Sequence, residues 1–123
     1  MPKMTKVLIA DDEPAIATFI VTLLNQWDCE TAVVHNGKDA VSRAAALHPN
    51  VALLGVVMPE MGGVEAAIGL LKVSPETKVV LMTESVPEET LANLNSQGYN
   101  FRTLAAPFSR EDLREAIFGG HRR

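Results

Sequence analysis

Short continuous apolar runs alternate along this chain with longer segments whose apolar residues return every three or four positions. Val7-Leu8-Ile9-Ala10 is the first such run, the signature of a parallel strand covered on both faces. Behind it, Pro14 suits a first helical turn, and Ile16, Phe19, Ile20, Leu23, Leu24 and Trp27 fall along one face of a helix. Thr31 to Val34 reads as a second strand. Asn36-Gly37 opens a second helix with Ala40, Val41, Ala44 and Leu47 inward, and His48-Pro49-Asn50 ends it. Val51 to Leu54 is a third strand, with Pro59 and Gly62-Gly63 in the turn that follows.

The alternation continues to the end of the chain. Val64, Ala67, Ile68 and Leu71 predict a third helix closed by Ser74-Pro75, and Lys78 to Met82 a fourth strand. Pro87 starts a weaker fourth helix with Leu91 and Leu94 inward, which Gly98 stops before a fifth strand at Phe101 to Ala105. Ser109 caps a fifth helix, with Asp112 placed for the reciprocal capping contact and Leu113, Ala116 and Ile117 inward, until Gly119-Gly120. Five strand–helix units without repeat or linker imply a flavodoxin-like α/β fold: a doubly wound, five-stranded parallel sheet between two helix layers, one domain over residues 1–123. In such sheets a ligand site lies beyond the C-terminal strand ends, at the topological switch point.

Composition narrows the functional classes. With 47% hydrophobic and 21% charged residues the chain reads as a globular protein, and no apolar run approaches the roughly 20 residues a bilayer span needs. The N-terminus has too short an apolar stretch for a signal peptide, so cytoplasmic residence is expected. One cysteine, Cys29, makes no internal disulfide and is expected to pack as a small hydrophobe. A formal charge of −4 and a pI near 5.3 argue against a nucleic-acid surface, and His121-Arg122-Arg123 reads as a solvated tail. His35, His48 and His121 lack any ligand spacing.

Candidate chemistry gathers where the strands end. Asp11, Asp12, Gly55, Thr83 and Ala106 each stand at or just beyond a strand's C-terminus, so the topology brings them to one edge of the sheet. Four segments on those elements, Val7-Leu8-Ile9-Ala10-Asp11-Asp12-Glu13-Pro14, Met58-Pro59-Glu60-Met61-Gly62-Gly63, Leu81-Met82-Thr83 and Ala106-Pro107-Phe108, resemble the response-regulator receiver domain of two-component signalling. The resemblance covers essentially the whole chain. It implies an acidic pair at Asp11 and Asp12 that holds Mg²⁺ with the backbone carbonyl of Val57, and a hydroxyl at Thr83 that follows a phosphoryl oxygen.

It also implies what is missing. The phosphoryl-accepting aspartate of the family falls at Gly55, and its phosphate-binding lysine at Ala106. Gly62 stands for the usual turn aspartate, Glu84 for a small residue, and Thr103 for a switching aromatic. Loss of one member of a buried ion pair strands the other at a cost of about 3–5 kcal/mol, whereas loss of both is nearly neutral. Gly55 and Ala106 together remove one charge of each sign. The expected function is therefore a pseudo-receiver: no enzyme, no required cofactor, at most a weak Mg²⁺ site, signalling through protein partners of a two-component pathway.

Arg102, Thr103, Arg110 and Arg114, with acids around them, mark the expected contact face on helix four, strand five and helix five, where a homodimer is also expected. No nucleic-acid or membrane partner is expected. Three other readings stay open. The acids serve only to favour a helix N-terminus; phosphorylation moves to Asp12, Thr83 or Glu84; or the chain is a small nucleotide- or flavin-binding protein of the same topology. The last lacks a Gly-rich phosphate loop after strand one.

Overall fold

The computed structural model describes residues 4–83, 88–99, 101–105 and 107–119. Five strands and five helices alternate: β1 Thr5–Ala10, α1 Pro14–Gln26, β2 Cys29–Val34, α2 Gly37–Leu47, β3 Val51–Gly55, α3 Gly63–Val73, β4 Lys78–Thr83, α4 Glu88–Ser96, β5 Arg102–Ala105 and α5 Arg110–Phe118. All strand pairs are parallel, in the order β2-β1-β3-β4-β5. The chain thus winds outward from β1 in both directions, as the alternation implies. Pro87, expected at the start of the fourth helix, and the His121-Arg122-Arg123 tail lie outside the described residues.

Because successive strand residues point to opposite faces, each strand feeds two cores. Val7, Ile9, Leu53, Val80, Met82 and Leu104 face α1 and α5, where Ile20, Leu24, Leu113 and Ile117 meet them. Leu8, Ala10, Ala52, Leu54 and Leu81 face α2 and α3, which present Ala40, Ala44, Ala66, Ala67 and Leu70. Alanines supply most of the buried helix contacts in this second layer, and α2 and α3 pack closely on the sheet and on each other. Each fully buried leucine or isoleucine contributes about 1.5–3 kcal/mol relative to an exposed one.

Helix boundaries follow local chemistry. Pro14 sits in the first turn of α1. The Asn36 side chain accepts the Asp39 N–H at 2.8 Å to cap α2, and His48, left-handed at φ 49°, ends that helix before Pro49. Ser109 and Asp112 form the expected capping box at α5. At the foot of the sheet Asn50 ties three strands together: its side chain accepts the Lys6 N–H at 2.8 Å, its own N–H donates to the Lys6 carbonyl, and its carbonyl accepts from the Lys78 N–H. The buried Ser74 and Thr77 hydroxyls bond each other at 2.6 Å, and Thr77 donates to the Pro49 carbonyl.

Three expectations shift. β2 begins at Cys29, two residues early, after Asp28 turns at φ 61°; Cys29 is buried as a small hydrophobe. Phe19 is 44% exposed, because the face of α1 laid on the sheet centres on Ala17, Ile20 and Leu24 and directs Phe19 sideways against Phe108, with ring centroids 6.2 Å apart. In α3 the buried residues are Gly63, Ala66, Ala67 and Leu70, while Val64, Ile68 and Leu71 are half-buried. With the sheet on one side and α2 on another, only the small side chains fit at the close approach.

Candidate functional site

Strand register assembles the site. Ala10 pairs with Leu54, so Asp11, one residue beyond β1, comes beside Gly55, the last residue of β3. Gly55 pairs with Met82 and Thr83 with Ala105, which brings the ends of β3, β4 and β5 alongside. Here the chain leaves a cleft of about 500 Å³ lined by Asp11, Asp12, Glu13, Ile16, Gly55, Val56, Val57, Met82, Thr83 and Phe108. Five residues singled out from sequence, Asp11, Asp12, Gly55, Val57 and Thr83, therefore share one cavity. Ala106 and Glu84 lie outside the described residues.

Asp11 is the buried acid of the group, 9% exposed, and its backbone is held on both sides. Its N–H donates to the Val34 carbonyl, and its own carbonyl lies 3.2 Å from His35 Nδ1. Its Oδ1 accepts the Glu13 N–H at 2.8 Å, a link that fixes the approach to α1. Oδ2 turns toward Gly55, 3.2 Å from the position an ideal β-carbon would take there. Burial pushes the Asp11 carboxyl above its ordinary value of 3.8, and the charges of Asp12 and Glu13 push the same way. The Glu13 N–H and His35 act in opposition without reversing the shift.

Gly55 itself has no room to retreat. α3 starts against the end of β3: the Gly63 N–H donates to the Val56 carbonyl at 2.8 Å, and a β-carbon on Gly63 would come within 2.2 Å of the Gly55 carbonyl oxygen. Only glycine allows that approach. Gly62, where the resemblance implies a turn aspartate, caps α3 without a side-chain hydrogen bond.

The donor set fits a hydrated Mg²⁺ ion in part. Mg²⁺ is content with one or two carboxylates and several waters, which Asp11 and Asp12 supply, with Val57 lining the same cleft. One Asp11 oxygen is already engaged by Glu13, and among the described residues no three acidic, histidine or cysteine side chains are placed together so as to hold a metal ion.

The four residues expected to form one contact face lie on two neighbouring elements, β5 and α5. Arg102 and Thr103 stand on β5, with Arg102 3.6 Å from Glu115 of α5. Arg110 and Arg114 turn to α1: Arg110 Nη2 donates to Gln26 Oε1 at 3.4 Å, and the Arg114 guanidinium lies 5.4 Å from the centre of the Trp27 ring and 5.5 Å from that of Phe118. Glu13 and Phe108, which stand in the family-like motifs without a site role of their own, also line the cleft. Both lie one or two residues past an assigned residue, so distance from a strand end was the available signal.

A parallel sheet wound outward from β1, with adjacent acids after β1 and a threonine at the end of β4, defines a receiver-type α/β signalling domain. The profile of the response regulator receiver domain matches residues 7–118. The chain belongs to that family. It is 37% identical over 124 residues to the response regulator GacA of Pseudomonas syringae pv. syringae, an alignment covering 97% of this chain and 58% of GacA. It also spans less than half the length of several other curated relatives.

Among solved structures, the chemotaxis protein CheY4 of Vibrio cholerae superposes with a TM-score of 0.84 at 25% identity, covering 94% of this chain and 97% of CheY4. The receiver domain of the sensor histidine kinase PA1611 of Pseudomonas aeruginosa PAO1, with a magnesium ion in its active site cleft, gives 0.80 at 21% identity, covering 94 and 95% of the two chains. The fold is therefore CheY-like, and the chain is a receiver domain of two-component signalling. No helix among the described residues is long and apolar enough to cross a membrane.

Proposed function

We propose that this receiver works by protein contact and not by accepting a phosphoryl group. Gly55 carries the reading: at the end of β3, where the family resemblance locates the acceptor, there is no nucleophile, and the Asp11 carboxylate leans into the space beside it. Ala106, in the position of the phosphate-binding lysine, supports the same conclusion from sequence. The domain, taken as residues 1–123, is then a non-enzymatic, cytoplasmic module that binds proteins of a two-component pathway, with Arg102 and Thr103 on β5 in its contact surface and neither nucleic acid nor membrane as a partner.

Mg²⁺ is not required for this role. Asp11, Asp12 and the Val57 carbonyl are the groups that would hold it weakly; the PA1611 receiver has a magnesium ion coordinated in its active site cleft. Its chemistry there would be charge neutralisation of an incoming phosphoryl group.

One alternative has an observation behind it: Asp12 and Thr83 line the same cleft, so a displaced acceptor at either is within the reach of a donor, while Glu84, the third position considered, lies outside the described residues. Against it, a group displaced from the β3 end loses the in-line geometry. Incubation with acetyl phosphate and Mg²⁺ followed by intact-protein mass measurement decides between the two. Unchanged mass is expected, and a stable phosphoryl increment would sink the proposal.

A further inference from the structure

α1 is the one helix of the five without a charged residue: Pro14–Gln26 reads PAIATFIVTLLNQ, whereas α2, α3, α4 and α5 each carry charged residues. A helix with one face on a core ordinarily turns charged and strongly polar side chains to water on the other. Here the exposed positions are Pro14, Ala15, Thr18, Phe19, Thr22, Asn25 and Gln26. The neighbouring surface is equally unlike a solvated one. Phe118 is 42% exposed, and four of the chain's six aromatic residues meet along the α1–α5 line, as the pairs Phe19–Phe108 and Trp27–Phe118. Aromatic and arginine side chains around a charge-depleted centre are the composition of an interface core.

The charges at its two ends point to the occupant. Asp12 and Glu13, both exposed, precede the N-terminus of α1. Arg110 and Arg114 of α5 lie against Gln26 and Trp27 at its C-terminal end. A two-fold axis through the middle of the helix superposes these ends in opposite sense, so that the acids of one copy meet the arginines of the other. In an isologous contact a charged residue near the axis would face its own counterpart. Thr18 and Thr22, which flank the midpoint Ile20, bring no such conflict.

We propose that a second copy of this chain covers this face, α1 packing antiparallel against α1 of its partner about an axis near Thr18 and Thr22. The proposal does not depend on whether the cleft accepts a phosphoryl group.

Sedimentation of the full chain across the micromolar to millimolar range tests it. The expected result is a monomer–dimer equilibrium that weakens as salt screens the end charges. Thr18→Arg is expected to raise the dissociation constant at least ~10-fold by setting like charges across the axis. Because Thr18 is exposed, an unchanged urea midpoint will show that the monomer still folds. Arg110→Glu and Glu13→Arg each weaken the dimer, and the two together regain it. A monomer at every concentration overturns the proposal. So does a dimer that tolerates Thr18→Arg but is lost on Thr103→Arg, which would move the contact to β5.

Discussion

Asp11 Oδ2 lies 3.2 Å from the point where a β-carbon on Gly55 would stand, closer than ordinary van der Waals contact. The two positions therefore compete for one space. Relief cannot come from β3, which α3 holds at Gly63, so it must come from Asp11, whose other oxygen holds the Glu13 N–H.

Gly55→Asp is expected to destabilise the protein at neutral pH by about 1–3 kcal/mol, since it combines overpacking with the approach of two carboxylates. Gly55→Ala shares the crowding but gains about 0.4–1 kcal/mol from a stiffer unfolded chain, and its net effect is smaller. Urea denaturation of Gly55→Asp, Asp11→Asn and the double variant closes a thermodynamic cycle. A coupling of at least ~0.5 kcal/mol is expected, and strict additivity would show that the two sites do not share the space.

Asp11→Asn alone is expected to stabilise the fold at neutral pH by about 0.5–2 kcal/mol, as removal of a strained site charge commonly does. The amide oxygen still accepts the Glu13 N–H, while burial of a charge beside Asp12 and Glu13 ends. Folding raises the Asp11 pKa above 3.8, so in that window the native state binds more protons than the unfolded chain. Its contribution to stability is complete below the unfolded value and is lost as pH rises through the folded one. The advantage of Asp11→Asn over the native protein should thus grow from acid to neutral pH and then level off. A difference in urea midpoint that is flat across that range would contradict the assignment.

Two glycines of α3 should respond in opposite directions. Gly63→Ala meets backbone atoms, the Gly55 oxygen at 2.2 Å and Val56 Cα at 2.8 Å, which have no rotamer to turn. A loss of about 3 kcal/mol is expected. Gly69→Ala meets only the Val41 side chain, at 3.3 Å, and removes a mid-helix glycine, for a gain of about 0.5 kcal/mol. Thermal melts of the pair check both signs.

Ser109→Ala should cost about 1 kcal/mol by opening the capping box of α5, whereas Ser96→Ala, outside any cap, should be nearly silent. Equal losses in denaturant titrations would show that the box does not stabilise α5.

The strands were legible because buried parallel strands leave continuous apolar runs, and the meeting of Asp11, Gly55 and Thr83 followed from where those runs stop. What sequence did not reveal depends on azimuth. Periodicity located α1 but not that Ala17 would face the sheet while Phe19 leaned to Phe108. It put Arg110 and Arg114 on α5 but could not foresee that Trp27 and Gln26 draw them toward α1. Nor does spacing tell that an acid one residue past β1 would rotate into the space beside a glycine of β3. That rotation reflects a local vacancy and a single hydrogen bond from Glu13.

The alanines between the sheet and the α2–α3 layer divide the interior into a stiff half and a pliant half. Ala40, Ala44, Ala66 and Ala67 have no side-chain torsions to reset, so on the helix side of that half only Leu70 among the fully buried residues can change rotamer. On the other side Ile20, Leu23, Leu24, Leu113 and Ile117 have alternative rotamers and absorb strain by changing shape. A disturbance entering at the strand ends is expected to meet fewer adjustable helix side chains beneath α2 and α3 than beneath α1 and α5. Methyl relaxation measurements would register that contrast as order in the first layer and exchange in the second.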